Sequence, residues 1–292
     1  MPELPEVETI RRGLAPLVTG RSITALTVPD PRWCMPLAPE EVADAVLGRP
    51  VTALSRRGKW LVFELGGEVF LITHLRMTGA FRYDPEPGAL YERVRMQLSD
   101  GHELLFCDPR RFGTGELALG RPALDSFFAG RVGIEPLGGD LDGATLRALA
   151  ARSRAPVKAF LLDQRRIAGV GNIYADEALF RARIHPLRAA GSLTAAQCDV
   201  LAGTVRDALE AGLAAGGATI DDFRHPDGVR GAFQDEFLVH RREGEDCPRC
   251  GGEIVKFVAA GRGTYVCERC QRRPRGVRRP VRAPRGARSG RP

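Results

Sequence analysis

Two Cys-x-x-Cys pairs, Cys247/Cys250 and Cys267/Cys270, stand sixteen residues apart near the end of this 292-residue chain. Four thiolates at that spacing suit one tetrahedral zinc ion, and such a site makes the intervening chain double back on itself. The intervening residues agree. Ile254, Lys256 and Val258 alternate with Val255, Phe257 and Ala259, then Gly261-Arg262-Gly263 leads into Thr264-Tyr265-Val266. The pattern predicts a β-hairpin with Arg262 at its tip, where a rigid scaffold offers a guanidinium to a phosphate at little entropic cost. Cys34, Cys107 and Cys198 are scattered and read as buried thiols. No apolar run approaches the ~18 residues of a membrane span, and the acidic N-terminus is unlike a signal peptide. The expected compartment is therefore the cytosol, where paired cysteines favour metal over disulfides.

The rest of the chain, 43% hydrophobic overall, has the material for about two domains with real cores. Residues 22–28, 51–54, 60–65, 69–74, 80–83, 94–98 and 103–107 read as short strands. Gly66-Gly67, Pro85-Glu86-Pro87-Gly88 and Ser99-Asp100-Gly101 supply turns between them. Such spacing predicts a β-sandwich of about 130 residues with an N-terminal helix packed against it. From Asp140 the texture becomes Ala- and Leu-rich at helical spacing, over 144–151, 158–162, 173–180 and 194–215, with Ser192 or Thr194 as a cap for the last. Between the second and third lies Gly169-Val170-Gly171-Asn172, either an ordinary glycine turn or a helix start aimed at an anion. Residues 218–233 lack periodicity and read as a mobile loop leading to a short segment at 234–239. The fold class is thus α+β and multidomain, divided as 1–133, 134–240, 241–271 and a disordered Arg-rich tail at 272–292.

The chain begins Met-Pro-Glu-Leu-Pro-Glu-Val-Glu-Thr-Ile. Pro2 and Pro5 suit a helix start, Glu3, Glu6 and Glu8 suit its positive end, and Val7, Ile10, Leu14 and Leu17 form an apolar stripe. A chemical reading is also open. A small second residue is the usual condition for removing Met1, which would leave the secondary amine of Pro2 beside Glu3. An α-amino group titrates near ~7.7–8.0, so part of it is unprotonated at neutral pH and able to form a Schiff base.

Net charge does not choose between these readings. Nine arginines and no acid lie in residues 271–292, so the chain total of +7 leaves the first 270 residues at −2. A nucleic-acid reading of the folded body rests instead on local clusters, Arg56-Arg57-Gly58-Lys59 and Arg110-Arg111. The tail serves solubility or non-specific attraction to nucleic acid. Lysine occurs only as Lys59, Lys158 and Lys256.

The motifs in order carry a resemblance. They are Met-Pro-Glu-Leu-Pro-Glu-Val-Glu-Thr, Arg-Arg-Gly-Lys at 56–59, His-Leu-Arg-Met-Thr-Gly at 74–79 and Asp-Pro-Arg-Arg-Phe-Gly at 108–113. Lys-Ala-Phe-Leu-Leu-Asp-Gln at 158–164, Gly-Val-Gly-Asn-Ile-Tyr-Ala-Asp-Glu at 169–177 and the four-cysteine finger follow. Over residues 1–271 the chain resembles the bacterial formamidopyrimidine-DNA glycosylases, which excise 8-oxoguanine. Leu4-Pro5 is similar to that branch rather than to the endonuclease VIII branch, which prefers oxidised pyrimidines and usually has Gly in place of Leu4.

The resemblance implies a helix-two-turn-helix DNA-binding domain after the sandwich, one structural zinc ion, and a monomer acting on duplex DNA with oxidised bases or abasic sites. It implies a bifunctional glycosylase and abasic-site lyase. Pro2 would attack the anomeric carbon, Glu3 act as acid and base, and Lys59 and Arg262 donate protons in two successive eliminations. Glu6 becomes a supporting carboxylate and Lys158 a residue associated with recognition of the damaged base. Met77, Arg110 and Phe112 would fill the gap left by a flipped base, although Met77 and Phe112 by themselves read as core filler. His74, Lys59, Asn172 and Arg262 would contact phosphates, and the loop at 218–233 would close over the flipped base. Three places depart from the pattern. Tyr91 stands where many members have a phosphate-contacting His, Trp33-Cys34 replaces a more basic segment, and Thr219-Ile220-Asp221-Asp222-Phe223 is unusually acidic. Two alternatives remain: the oxidised-pyrimidine specificity of the sister branch, and a non-catalytic zinc-dependent DNA-binding protein. The second predicts damage at Pro2 or Glu3, and both are intact.

Overall fold

The computed structural model describes residues 1–219 and 230–277. The acidic part of the loop expected at 218–233 and most of the Arg-rich tail lie outside the described residues. Two compact units interleave along the chain: Met1–Glu135 with Ile167–Gly169 and Leu209–Glu236, and Pro136–Arg166 with Val170–Ala208 and the chain from Phe237 onward.

The first unit opens with α1 (Leu4–Val18), in which Leu4, Val7, Ile10, Leu14 and Val18 are buried at helical spacing. Glu3 is the cap, so Pro2 precedes the helix, and Val18 rather than Leu17 completes the buried stripe. Eight strands follow: β1 (Ile23–Thr27), β2 (Val51–Arg57), β3 (Trp60–Leu65), β4 (Val69–His74), β5 (Ala80–Tyr83), β6 (Glu92–Leu98), β7 (Glu103–Cys107) and β8 (Thr114–Leu119). They form two antiparallel sheets, ordered β2-β3-β4-β8 and β1-β6-β7-β5. One core takes Leu61, Phe63 and Leu71 from the first sheet, Phe81, Met96 and Phe106 from the second, and Val7, Ile10 and Leu14 from α1. The Phe63 and Phe81 rings meet across it at 5.7 Å. This is the expected sandwich with the helix packed against it.

Three elements escape the sequence pattern: α2 (Pro39–Val46), α3 (Arg121–Phe128) and β8. The helices are only eight residues long, with one or two buried positions each. Strand β8 carries a glycine, which ordinarily weakens a strand. Here the glycine is required, because a Cβ on Gly115 would fall 2.1–2.4 Å from the Trp33 ring. Trp33 and Cys34 are both buried, so the uncharged Trp33-Cys34 pair serves the core rather than a solvent-facing surface.

The pairing aligns several strand ends. Trp60 pairs with His74 and His74 with Thr114. The β2–β3 turn, the β4–β5 connection (75–79) and the β7–β8 connection (108–113) therefore emerge from one end of the sandwich. The last two cross between the sheets.

The second unit contains α4 (Gly143–Ala150), α5 (Val157–Leu162), α6 (Asn172–Arg181) and most of α7 (Ala195–Ala214). Asp142 caps α4 by accepting the Thr145 N–H at 2.7 Å, a bond worth about 1 kcal/mol. Thr194 caps α7 reciprocally: its hydroxyl accepts the Gln197 N–H, and Gln197 accepts the Thr194 N–H. The hairpin of β9 (Val255–Ala259) and β10 (Arg262–Val266) pairs Ala259 with Arg262. Its two-residue turn is Ala260-Gly261, both at positive φ (51° and 68°). Arg262 thus begins the return strand beside the tip, which corrects the expected placement. Among the described residues no helix is long and apolar enough to cross a membrane.

Gly115→Ala should lower unfolding stability by about 1–3 kcal/mol through overpacking against Trp33. An unchanged denaturant midpoint would contradict this packing.

Candidate active site and nucleic-acid interface

Glu3, Glu6 and Lys59 are 3%, 2% and 5% exposed, where charged groups persist only with partners. The Glu3 N–H donates to the Glu6 carboxylate at 2.8 Å, and the Leu4 N–H donates to the Gly169 carbonyl at 3.0 Å. Gly169 sits at φ +81°, and a Cβ there would lie 2.5 Å from Leu4 Cβ, so glycine is what permits the contact. Gly58, at φ +57° just before Lys59, rests on the same segment; its Cβ would meet Val132 at 3.2 Å and Ala168 at 3.4 Å. Residues 167–169 therefore brace the chain end and the lysine turn together. The other Glu6 oxygen accepts the Ala218 N–H at 2.8 Å, tying the amino end to the root of the 220s loop. Pro2 is buried and Met1 is exposed.

Arg56, which the sequence groups with DNA-facing cations, turns inward. It bonds Glu8 at 3.2 Å and Glu135 at 3.0 Å, and the Gly58 N–H also donates to Glu135. Burial opposes the charge on Glu8, but hydrogen bonds from Arg11 and Arg12 and the charge of Arg56 hold it down at about 2. The network fastens α1 to the turn that carries Lys59, so Arg56 is a structural cation.

At the same end of the sandwich, the His74 Nδ1 accepts the Arg76 N–H at 2.9 Å, which leaves the proton on Nε2. Burial, reinforced by the positive charges of Arg76 and Lys59, pushes His74 down to about 3. At neutral pH it is an uncharged N–H donor, a form suited to a phosphate oxygen. Met77 is half-buried, while Arg110 and Phe112 are exposed, with the Arg110 guanidinium 4.8 Å over the Phe112 ring. An exposed aromatic on a loop tip is not core filler. Tyr91, also exposed and at φ +64°, leaves from this end, its carbonyl accepting the Asp108 N–H at 2.9 Å.

In the second unit Lys158 is fully buried. Its ammonium donates to Asp176 at 2.7 Å, the Thr264 hydroxyl at 2.9 Å and the Gly263 carbonyl at 3.0 Å, matching its three donors. Asp176 also meets His240 Nδ1 at 3.0 Å. The Asn172 Nδ2 donates to the same Gly263 carbonyl at 3.0 Å, leaving its buried Oδ1 with no hydrogen-bond partner among the described residues. Lys158 and Asn172 thus grip the backbone next to the exposed Arg262. Glu177 accepts the N–H groups of Leu238, Val239 and His240, all near 3 Å. Sequence reading passed over Asp176 and Glu177, although two acids inside an otherwise apolar helix are a usable signal of buried polar work.

The four finger cysteines place their sulfurs within 4.8 Å of one another, with Cys250–Cys267 at 3.4 Å and Cys247–Cys270 at 3.9 Å. A tetrahedron with Zn–S bonds of about 2.3 Å has sulfur edges of about 3.8 Å. Burial and hydrogen bonds with the other thiols push Cys270 up to about 12, a penalty that a central dication reverses. The donor set fits one structural zinc ion. Bound there, it would fix the fold of the finger.

The N-terminal domain model of formamidopyrimidine-DNA glycosylase matches residues 1–115, its H2TH domain model residues 132–224, and a zinc finger found in FPG and IleRS residues 244–273. The chain belongs to the formamidopyrimidine-DNA glycosylase family. It is 46% identical to the formamidopyrimidine-DNA glycosylase of Halorhodospira halophila and 43% to that of Beijerinckia indica, covering 93% of this chain and all of each relative. The Lactococcus lactis FPG mutant G226P, solved with a Fapy-dG containing DNA, superposes with TM-score 0.87 at 35% identity, over 93% of this chain and 100% of that one. MutM in complex with carbocyclic 8-oxo-G containing DNA gives 0.86 at 36%, with the same coverage.

The first unit holds Pro2, Glu3, Glu6, Lys59, His74, Met77, Tyr91, Arg110 and Phe112, and the second holds Lys158, Asn172, Arg262 and the four finger cysteines. His74 supplies a direct check. Its imidazole resonances should not titrate between pH 8 and 5. Its folded pKa is lowered from 6.5 to about 3, so its contribution to stability is full above about pH 6.5 and is lost as pH falls toward 3. Titration near 6.5 would contradict its burial.

Proposed function

We propose that this base excision repair glycosylase removes oxidised purines, 8-oxoguanine and formamidopyrimidines, from duplex DNA with Pro2 as the nucleophile. The observation that carries the proposal is the anchored amino end: buried Glu3 and Lys59 beside a chain end pinned to Glu6 and Gly169. Once Met1 is removed, the Pro2 lone pair attacks C1′ and the bond to the base breaks, the base leaving with the electron pair and gaining a proton. Glu3, as acid and base, takes the N–H proton of Pro2 and gives it to O4′ as the C1′–O4′ bond opens, and the amine is left as an iminium. Loss of a C2′ proton expels the 3′ phosphate. A second elimination expels the 5′ phosphate, and hydrolysis frees Pro2. Lys59 and Arg262 deliver protons in the eliminations, and His74, Lys59, Asn172 and Arg262 hold phosphates.

Met77, Arg110 and Phe112 fill the gap, Arg110 bonding the orphaned partner base while the apolar side chains wedge the stack. The exposure of Phe112 supports this. Tyr91 replaces an imidazole contact with a phenol, and Lys158 acts from its buried network. The division into sandwich, helix-two-turn-helix, finger and tail, a monomeric state and a cytoplasmic location complete the reading. A wider lesion range has one observation behind it: the Lactococcus lactis protein was also solved with an oxidised pyrimidine containing DNA.

Borohydride added during reaction with an 8-oxoguanine·C duplex should trap a covalent adduct, diminished in Pro2→Gly and when Met1 is retained. No adduct, or one undiminished by either change, would sink the mechanism. Arg262→Ala should weaken duplex binding with zinc still bound, and reduce the salt slope of log K by about 0.9. An unchanged slope would remove Arg262 from the phosphate contacts.

A further inference from the structure

The loops that carry Met77, Arg110 and Phe112 converge on one carboxylate. Asp108 is fully buried. Its Oδ1 accepts the Thr78 hydroxyl and, at 3.1 Å, the Arg110 N–H; its Oδ2 accepts the Phe112 and Gly113 N–H groups, both at 2.7 Å. Its own N–H donates to Tyr91 at 2.9 Å, and its carbonyl accepts Arg93 Nε at 3.0 Å. The carboxylate's four donors are neutral, and three belong to the backbone of the loop whose side chains point outward. They hold that loop in a shape that includes Arg111 at φ +58°. The hydroxyl belongs to Thr78, next to Met77. Both loops also close on one ring: a Cβ on Gly79 would lie 2.6 Å from Phe106 Cζ, and one on Gly113 2.5 Å from the same atom.

We propose that Asp108 is a positioning residue for lesion excision, joining the 75–79 and 108–113 loops through Thr78 so that Met77, Arg110 and Phe112 enter the duplex as one preformed wedge. The inference rests on the reading above that these three side chains fill the gap. The physical gain is preorganisation: loops ordered before binding spend no interaction energy on ordering when they meet DNA. Asp108 itself touches neither sugar nor base in this scheme.

Two near-isosteric substitutions separate positioning from general stability. Asp108→Asn turns one acceptor oxygen into an NH2 facing N–H donors. Thr78→Val removes only the hydroxyl that links the loops. Each zinc-loaded variant is assayed for single-turnover excision from an 8-oxoguanine·C duplex and for cleavage of a single-stranded oligonucleotide with a preformed abasic site, which has no partner base and no stack to fill. Excision should fall about tenfold or more in Asp108→Asn and several-fold in Thr78→Val, with single-strand cleavage within about twofold of the parent in both. Normal excision by both variants, or an equal loss in both assays, overturns the proposal. If Asp108→Asn does not fold, Thr78→Val decides alone. Arg110→Ala and Phe112→Ala test the underlying reading separately. Normal excision by these two removes the gap-filling assignment and the proposal with it, whereas impaired excision by these two alone removes only the role of Asp108.

Discussion

Buried carboxylates in this protein exchange water for backbone N–H groups, and the amino end depends on that exchange. Glu6 binds the Glu3 N–H with one oxygen and the Ala218 N–H with the other. Leu4 is pinned by its own N–H to Gly169, a residue whose missing Cβ allows the approach. A chain terminus ordinarily frays. Here it is held by backbone hydrogen bonds at consecutive residues, and the same 167–169 segment sets the turn before Lys59. Losing the Glu6 carboxylate would therefore strand two buried N–H donors.

The same logic recurs on a larger scale. Glu8 and Glu135 neutralise Arg56, Asp176 and two groups of the hairpin satisfy Lys158, and neutral donors surround Asp108. Buried ion pairs give uncertain net stability, because desolvation offsets attraction, but they penalise alternative arrangements heavily. In each case the buried charge fixes the backbone beside a side chain with a proposed role: Lys59, itself buried, follows Gly58, while the exposed Arg262 precedes Gly263 and the exposed Phe112 follows the Asp108 turn. Rigid support beneath an acting side chain is what a damaged-base excision site needs, since misplacement by about 1 Å costs about a hundredfold in rate.

Much of this was legible in the sequence. Strands at 60–65, 69–74, 80–83 and 103–107 follow from alternation and turn residues and match β3, β4, β5 and β7 end to end. The zinc ligands follow from spacing. What was not legible depends on partners distant in the chain. Arg56 reads as a surface cation until Glu135, 79 residues away, is brought beside it. The burial of Lys158 depends on Gly263 and Thr264, 105 and 106 residues on, which the sequence around it does not reveal. Gly261-Arg262-Gly263 suggested an arginine at the tip, yet the turn uses Ala260 at positive φ, a conformation alanine rarely adopts. Within Asp-Pro-Arg-Arg-Phe-Gly the outward-facing Arg and Phe drew the functional reading, while the buried Asp organises the loop.

The mechanism proposed for this protein makes the anchored terminus, rather than a lysine, the nucleophile. With Met1 removed, the chain has four aliphatic amines: Pro2, Lys59, Lys158 and Lys256. Proteolysis of a borohydride-reduced protein–DNA adduct, followed by mass spectrometry of the fragments, distinguishes them directly. The sugar remnant is expected on the N-terminal peptide, attached at Pro2. A remnant on the Lys59 peptide, with Pro2 unmodified, would contradict it.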